Sequence, residues 1–422
     1  MSVQGNGPAN KGSPMKSKRS QLAASAALCL SLIAAQTGAT RAEVRIGSLS
    51  ALTGPAADLV KQVFGAEQAA IDEINSAGGI LGQQVRLIPA DTACNAQVGV
   101  DAANKLINVE QVAAIVGGTC SGETIPAASN VAGPAGVLMV SPVSTSPEIT
   151  KLDDKGVLFR VVPSDNFQGI YMARLLLSKG ITKVALTYVN NDYGVGLAEA
   201  FRAAYLAGGG QIAGDSVHED KKESYRAELA TLASGGAKTL VLFAIGDSSG
   251  LTIMRQSLES GLFEKFAVAD GMKVSALLDG IGAENLEGRI IGSVPTAPVG
   301  PQSDRFKDLY GKTDKFTFGY TFTPQGYDAA MIVALAIEKA GSTDRRAILN
   351  AVRDVANAPG EVIGPGDWAK AVELIKAGKD INYSGAAGDH EFDKNGDVEG
   401  VFSEWTVKNG AVVVSPPVAL GN

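Results

Sequence analysis

Short, continuously apolar runs alternate along this chain with longer stretches in which apolar positions recur at helical spacing. Residues 44–48 (VRIGS) predict a strand. Val60, Val63, Phe64, Ala70, Ile71 and Ile74 then share one helical face, and Gly78-Gly79 ends that helix. Residues 84–89 predict a second strand, 96–108 a helix, 112–117 (VAAIVG) a buried strand, 124–132 a helix and 137–141 another strand. A second series follows Arg160, with strands at 184–189, 239–244 and 266–269. Its helices fall near 167–179, 195–207, 224–234 and 250–260, and Gly208-Gly209-Gly210 and Gly235-Gly236 mark helix ends. A third series places helices near 303–311, 324–340, 344–355 and 367–377. The tail pairs 402–407 with 411–414 as a hairpin around Asn409-Gly410. Continuous apolar strands separated by helices predict an α/β fold with parallel sheets covered on both faces. Ligands of such sheets bind beyond the carboxyl ends of the strands. The loops to inspect are therefore 49–59, 117–124, 141–146, 189–195, 244–250 and 269–274.

The first 42 residues break this pattern. Lys16, Lys18 and Arg19 precede an uncharged apolar run at 22–35, and Thr40-Arg41-Ala42 follows. This order of basic, apolar and small-residue segments predicts a secretory signal cut after Ala42, with a membrane anchor as the alternative. Met15 directly before the basic cluster offers a second start, which would leave 1–14 as an extension. Cys29 follows Leu28 rather than a small residue, against a lipid-attachment site. The whole chain carries −7, but five of its 37 basic residues (Lys11, Lys16, Lys18, Arg19, Arg41) and none of its 44 acidic residues lie in 1–42. Removing that segment leaves 32 basic against 44 acidic residues, a net −12. Such a balance, with no basic cluster, argues against nucleic acid or anionic lipid as partner. At 45% hydrophobic and 19% charged, and with 422 residues, the chain can bury the cores of two domains.

The candidate chemistry is sparse. The two histidines are His218, in a polar run read as a solvated loop, and His390, in a glycine-rich turn; a hydrolase triad would need one of them beside a nucleophile. No phosphate-binding glycine loop occurs. Asp393-Lys-Asn395-Gly-Asp397 imitates the start of a calcium loop but places its glycine at position 4, so a turn between strands is expected. Cys94 and Cys120 remain beyond the signal and can pair in an oxidising compartment or stay as free thiols. Two cysteines alone do not build a structural zinc site. Two hydroxyl-rich turns, 120–124 (CSGET) and 141–147 (SPVSTSP), follow predicted strands at predicted helix starts. Either they cap helices or, with the free N–H groups there, they bind an anion such as a carboxylate. Asp270 follows the strand at 266–269. It is read as a turn residue or as the acceptor of a ligand ammonium.

The chain resembles the leucine/isoleucine/valine-binding proteins and the wider group of type I periplasmic binding proteins that serve branched-chain amino acid importers. The resemblance runs through IGSLSALTGPAA (46–57), AAIDEINSAGGILGQQVRL (69–87), DTAC (91–94) and CSGETIPAAS (120–129). It continues through GVLMVSPVSTSPEIT (136–150), FRVVPSDNFQG (159–169) and NNDYGVGLAEAF (190–201). It implies two doubly wound parallel-sheet lobes joined by three crossovers, which close on a ligand like a hinge. It divides the chain into 43–162 with 296–394, and 163–295 with 395–422. It implies a Cys94–Cys120 disulfide. It puts a ligand carboxylate on Ser121 and Thr145, with backbone groups near Val143 and Ser144. Asp270 would face the ammonium, and Tyr193 would line the cleft from the second lobe. Leu59 stands where leucine binders carry tyrosine, the 244–250 loop (AIGDSSG) lacks their aromatics, and 356–390 is longer. Phe322 and Gln325 lie near a further cleft-lining segment.

The resemblance implies a monomeric periplasmic protein, without cofactor, metal or enzymatic activity, that delivers a small amino acid to a membrane permease of an ABC importer. The alternatives are the same fold binding an amide, urea or aromatic carboxylic acid, a ligand-sensing receptor partner, and an exported hydrolase. Retained affinity for ligands without an amine would mark the first of these, and ester or peptide turnover would mark the last.

Overall fold

The computed structural model describes residues 1–2, 4–12 and 43–419. Met1–Ala42 and Glu43–Asn422 are separate compact units. Residues 1–2 and 4–12 form neither helix nor strand. The signal segment with its cut after Ala42, Met15 and Cys29 all lie outside the described residues.

In the second unit, β1 (Val44–Ser50), β2 (Val85–Asp91), β3 (Ala114–Gly117), β4 (Met139–Ser141) and β5 (Leu158–Arg160) form one all-parallel sheet ordered β2-β1-β3-β4-β5. A larger sheet follows, built on β6 (Lys183–Val189), β7 (Gln211–His218), β8 (Thr239–Phe243), β9 (Lys265–Val268) and β10 (Ile290–Thr296). These five strands are parallel in the order β7-β6-β8-β9-β10. β11 (Glu361–Ile363), β12 (Ile381–Gly385) and β13 (Gly388–Asp389) make a small third sheet. The hairpin β14 (Val401–Lys408) and β15 (Ala411–Val414) then adds antiparallel to β10, with β16 (Val418–Ala419) beside β14.

The helices are α1 (Ala57–Ser76), α2 (Ala96–Asn104), α3 (Ser121–Ala127), α4 (Asp165–Ser178), α5 (Asp192–Ala207), α6 (Arg226–Ala233), α7 (Ser249–Ser260), α8 (Ser275–Ile281), α9 (Ala283–Leu286), α10 (Pro301–Tyr310), α11 (Thr323–Ala340), α12 (Arg345–Ala356) and α13 (Trp368–Lys376). α1 buries Leu59, Val60, Val63, Ala66, Ala70, Ile71 and Ile74 on one face. That face meets α11, which is apolar on all sides and buried over most of its length, as a helix enclosed by a sheet and two helices must be. The chain passes between the sheets at 161–164, at 297–300 and again ahead of β14, giving two lobes with three crossovers, as the fold class read from the sequence requires.

Strands β5, β7, β10 and β11 to β13 were absent from the sequence reading, and His218 is a correction to it. The histidine closes β7 and is buried, with its ring between the hydroxyls of Thr187 (2.9 Å) and Ser249 (3.2 Å). Burial pushes its pKa down to about 4. His390 is also buried, with Nε2 2.9 Å from Asp328. The 393–397 run is the expected turn: Asp393 accepts from the N–H groups of Asn395 and Asp397. Asp397 is paired with the guanidinium of the fully buried Arg160 at 2.6 Å. Residues 356–390 contain β11, α13, β12 and β13, and place Trp368, Ile381 and Tyr383 in the core of the first lobe.

Candidate functional site

Loops that follow β3 and β4 in the first sheet, and β6, β8 and β9 in the second, converge on one cavity of about 80 Å³. Ser121, Val143, Thr145, Tyr193 and Asp270 line it, together with the Cys94–Cys120 pair. Cys94 and Cys120 form a disulfide with Cα atoms 5.5 Å apart, tying the 92–95 turn to the start of α3. Ser144 is not brought to the wall. Its N–H donates to Ser141 Oγ (3.1 Å), and its hydroxyl is held by Thr124 (2.7 Å) and the Gly118 carbonyl (3.1 Å).

On the first lobe the wall is rich in donors. The buried Glu123 reaches back over the start of α3. One of its oxygens accepts from the N–H groups of Thr119 (2.8 Å) and Cys120 (2.9 Å) and from the Thr119 hydroxyl (2.9 Å), and Thr92 donates to the other. Burial raises its pKa, with the Thr92 hydrogen bond opposing. This fixes the turn while leaving the first-turn N–H groups of Ser121 and Gly122 without an acceptor among the described residues. The Thr145 N–H has none either. Ser121 Oγ accepts from the Ser146 N–H (3.2 Å), so its own hydrogen remains to donate into the cavity.

The second lobe contributes carboxylate. Asn191 caps α5 through the Gly194 N–H (2.8 Å) and so sets Tyr193 in the first turn. Tyr193 donates its hydroxyl hydrogen to Asp270 Oδ1 (3.2 Å). The residue after Asp270 must be glycine: a Cβ at Gly271 would meet the Ala244 carbonyl at 2.7 Å and the Tyr193 hydroxyl at 3.1 Å. Burial pushes Asp270 up to about 6, against hydrogen bonds that favour its charge. Tyr193 is held well above its ordinary value, by burial first and then by Asp270.

Asp165, the first residue of α4, was missed by the sequence reading. It is fully buried beside Thr145 and Asp270, its N–H donates to the Thr145 carbonyl (2.8 Å), and neither side-chain oxygen has a hydrogen-bond partner. Burial, and then the Asp270 charge, raise it well above the carboxylate range. The nearest cation, Arg160, is committed to Asp397, Ser146 and Thr150. No lysine or arginine lines the cavity among the described residues.

Thr119 and Asn191 also reach the wall, and its apolar part is Ala56, Leu59, Val143, Ile245, Val274 and Phe322. Phe322 is held at φ 64, a costly geometry for a bulky residue, with its ring buried in the wall. Gln325 lines a different cavity. The cavity therefore joins free N–H groups and hydroxyls, one buried acid in its wall with Asp165 behind it and no cation, and an apolar end. An anion, a cation and an aliphatic group can each be met there, and no nucleophile–base pair is assembled.

The profile of the family described as periplasmic binding protein matches residues 43–376. An amino acid binding protein of Pseudomonas aeruginosa is 30% identical, over 90% of this chain and 95% of its own. The Leu/Ile/Val-binding protein BraC3 of Rhizobium johnstonii is 33% identical, over 75% and 85%. The crystal structure of the leucine binding protein LivK from Thermotoga maritima superposes with a TM-score of 0.75 at 26% identity, covering 89% of this chain and 99% of that one.

Proposed function

This chain belongs to the periplasmic binding protein family, and from that premise we propose that it is the solute-binding component of an ABC importer, capturing a small aliphatic α-amino acid for a membrane permease. The observation that carries the reading is the polarity of the cavity, with free donors on one lobe and, on the other, a buried acid in the wall backed by a second, neither facing a cation. The ligand carboxylate docks on Ser121, Thr145 and the N–H groups of Ser121, Gly122 and Thr145. Its ammonium lies between Asp270 and Asp165, beneath Tyr193. Its side chain fills the space lined by Leu59, Ile245, Val274 and Phe322.

In this reading the working protein is the monomer left after removal of 1–42. Its lobes are 43–162 with 296–394, and 163–295 with 395–422. Two buried acids with no cation disfavour an empty closed cleft, so the ammonium supplies the differential contact that drives closure. The Leu/Ile/Val specificity named for the Rhizobium relative supports an aliphatic side chain.

The test is a thermal-shift and calorimetric screen of ligand-stripped 43–422 against amino acids, their amides and simple carboxylic acids. Stabilisation is expected with free aliphatic amino acids alone, about 2.7 kcal/mol at a hundredfold excess over Kd. Equal binding of acids or amides that lack the amine would remove Asp270 and Asp165 from this role.

A further inference from the structure

Helix α1 begins without a side-chain cap of its own. Its N-cap position is Ala56, in the left-handed region at φ 74, with no hydroxyl or carboxylate to satisfy the first N–H groups. The cap comes from the other lobe. Asp247, in the loop after β8, accepts from the Ala56 N–H with Oδ1 (3.1 Å) and from the Asp58 N–H with Oδ2 (3.4 Å). A second tie runs beside it. The Asp58 carboxylate accepts from Ser275 Oγ (2.7 Å), at the start of α8 in the second lobe, and from the Tyr320 hydroxyl. Tyr320 in turn accepts from the Ser275 N–H at 2.9 Å. Asp247 does not line the cavity, but Ala56 and Leu59 of the helix it caps do.

We propose that Asp247 is an affinity-setting residue that acts from outside the ligand site, as a cap supplied in trans to α1 and made only when the lobes are closed. A carboxylate is favoured at a helix N-terminus by both the free N–H groups and the helix dipole. When the cleft opens, Ala56 and Asp58 return to water and Asp247 to the solvent, so the bonds count toward the closed state alone. The clasp thus slows release and holds the Ala56–Leu59 wall against the ligand, while leaving capture by the open form untouched.

The inference rests on the amino acid-binding reading, and its test separates the two. Asp247→Ala, Asp247→Asn and Ser275→Ala in the 43–422 chain are compared with wild type for binding of leucine, isoleucine, valine and alanine by stopped-flow fluorescence. Asp247→Ala is expected to raise Kd about tenfold through koff, with kon within about twofold and an unchanged ligand-free melting temperature. Asp247→Asn, which keeps one acceptor oxygen, falls between, and Ser275→Ala gives a smaller rise. A wild-type koff in Asp247→Ala, or a loss carried by kon or by ligand-free stability, overturns the clasp. If none of the four amino acids binds wild type, the functional reading fails and the clasp is decided by amide hydrogen exchange with and without whichever acid or amide of the thermal-shift screen stabilises the chain. Protection at Ala56 and Asp58 that appears with that ligand in wild type and is lost in Asp247→Ala supports it, and ligand-bound wild type without added protection there overturns it.

Discussion

Tyr193 and Asp270 are joined across 3.2 Å from separate elements of the second lobe, the first turn of α5 and the turn after β9, and both face the cavity. The phenol holds the carboxylate in place, and the carboxylate is the ligand's charge partner in the proposed function. Asp270→Asn keeps the shape and removes the charge, leaving an ammonium poorly matched in a dry cleft. The expected cost is about 3 kcal/mol, or roughly a hundredfold in Kd. Tyr193→Phe deletes two hydrogen bonds, the one donated to Asp270 and the one accepted from the Gly271 N–H (3.4 Å), and costs about 1–2 kcal/mol. Titration calorimetry with the amino acid found in the screen measures both. An Asp270→Asn variant that binds like wild type would end the assignment.

The same acids predict how binding responds to pH. Both acids are raised in the empty cleft, chiefly by burial and Asp270 to about 6, so below that pH Asp270 holds a proton that a ligand ammonium must displace, with Asp165 shifted in the same direction. Binding therefore releases protons, and affinity falls as pH drops through that range, by at most about tenfold per unit for each proton released. For the ligand-free fold the sign is reversed. The folded state binds more protons than the unfolded one, so Asp270 removes stability as pH rises from 3.8 to about 6, and Asp165 acts with the same sign. Calorimetry in buffers of different ionisation enthalpy reads the released protons directly. Affinity that stays level from pH 8 to pH 5 would contradict the pairing.

What the sequence disclosed depended on whether burial leaves a continuous apolar mark. β3 and β8 are buried at every position and were readable as runs of Ile, Val and Leu. β7 is an edge strand through Gly214, Asp215 and Ser216, half in solvent, and its polar residues read as a loop. β10 is interrupted by Gly292, Ser293 and Pro295, yet it is buried: Gly292 is where the Trp405 indole lies on the strand, and a Cβ there would sit 2.1 Å from it. That requirement is tertiary and leaves no local signal. Of the residues that line the cavity, Ser121, Thr145 and Asp270 stood out because each follows a recognisable strand, whereas Tyr193 was implied only by the family resemblance. Asp165 looked like any acid in a first helical turn after the Ser164 cap, and only packing against Thr145 and Asp270 sets it apart. The family resemblance offered the backbone near Ser144 as a ligand contact. The fold spends its groups on Ser141, Thr124 and Gly118 instead.

The Cys94–Cys120 bond serves both the fold and the cavity. It closes a loop with a sequence separation of 26, a constraint on the unfolded chain that contributes about 3–4 kcal/mol on the chain-entropy model. Both cysteines line the cavity, and Cys120 directly precedes Ser121. Replacing both by alanine is expected to lower the urea midpoint by an amount corresponding to about 3 kcal/mol and to weaken amino acid binding several-fold, since the start of α3 loses its tether. A variant with the wild-type midpoint and affinity would deny the bond either part.

Glu67 tests a buried acid far from any proposed contact with the ligand. It lies in the middle of α1, wholly enclosed, with Oε2 accepting from Ser48 Oγ (2.7 Å) and Oε1 unpartnered. Burial raises its pKa from 4.5 to about 8, against the opposing hydrogen bond from Ser48. At neutral pH the folded state thus holds it as the neutral acid, while the unfolded chain ionises. Between pH 4.5 and about 8 the folded state binds the extra proton, so stability falls as pH rises across that window and levels off above it. Glutamine is a neutral isostere with no proton to lose. Glu67→Gln is therefore expected to match wild type near pH 4.5 and to exceed it at pH 7, by up to about 3 kcal/mol at 1.36 kcal/mol per pKa unit. Urea unfolding of both proteins from pH 4.5 to 9 gives the comparison. A stability difference that does not grow with pH would mean that Glu67 is ionised in the fold and that Ser48, not burial, controls it.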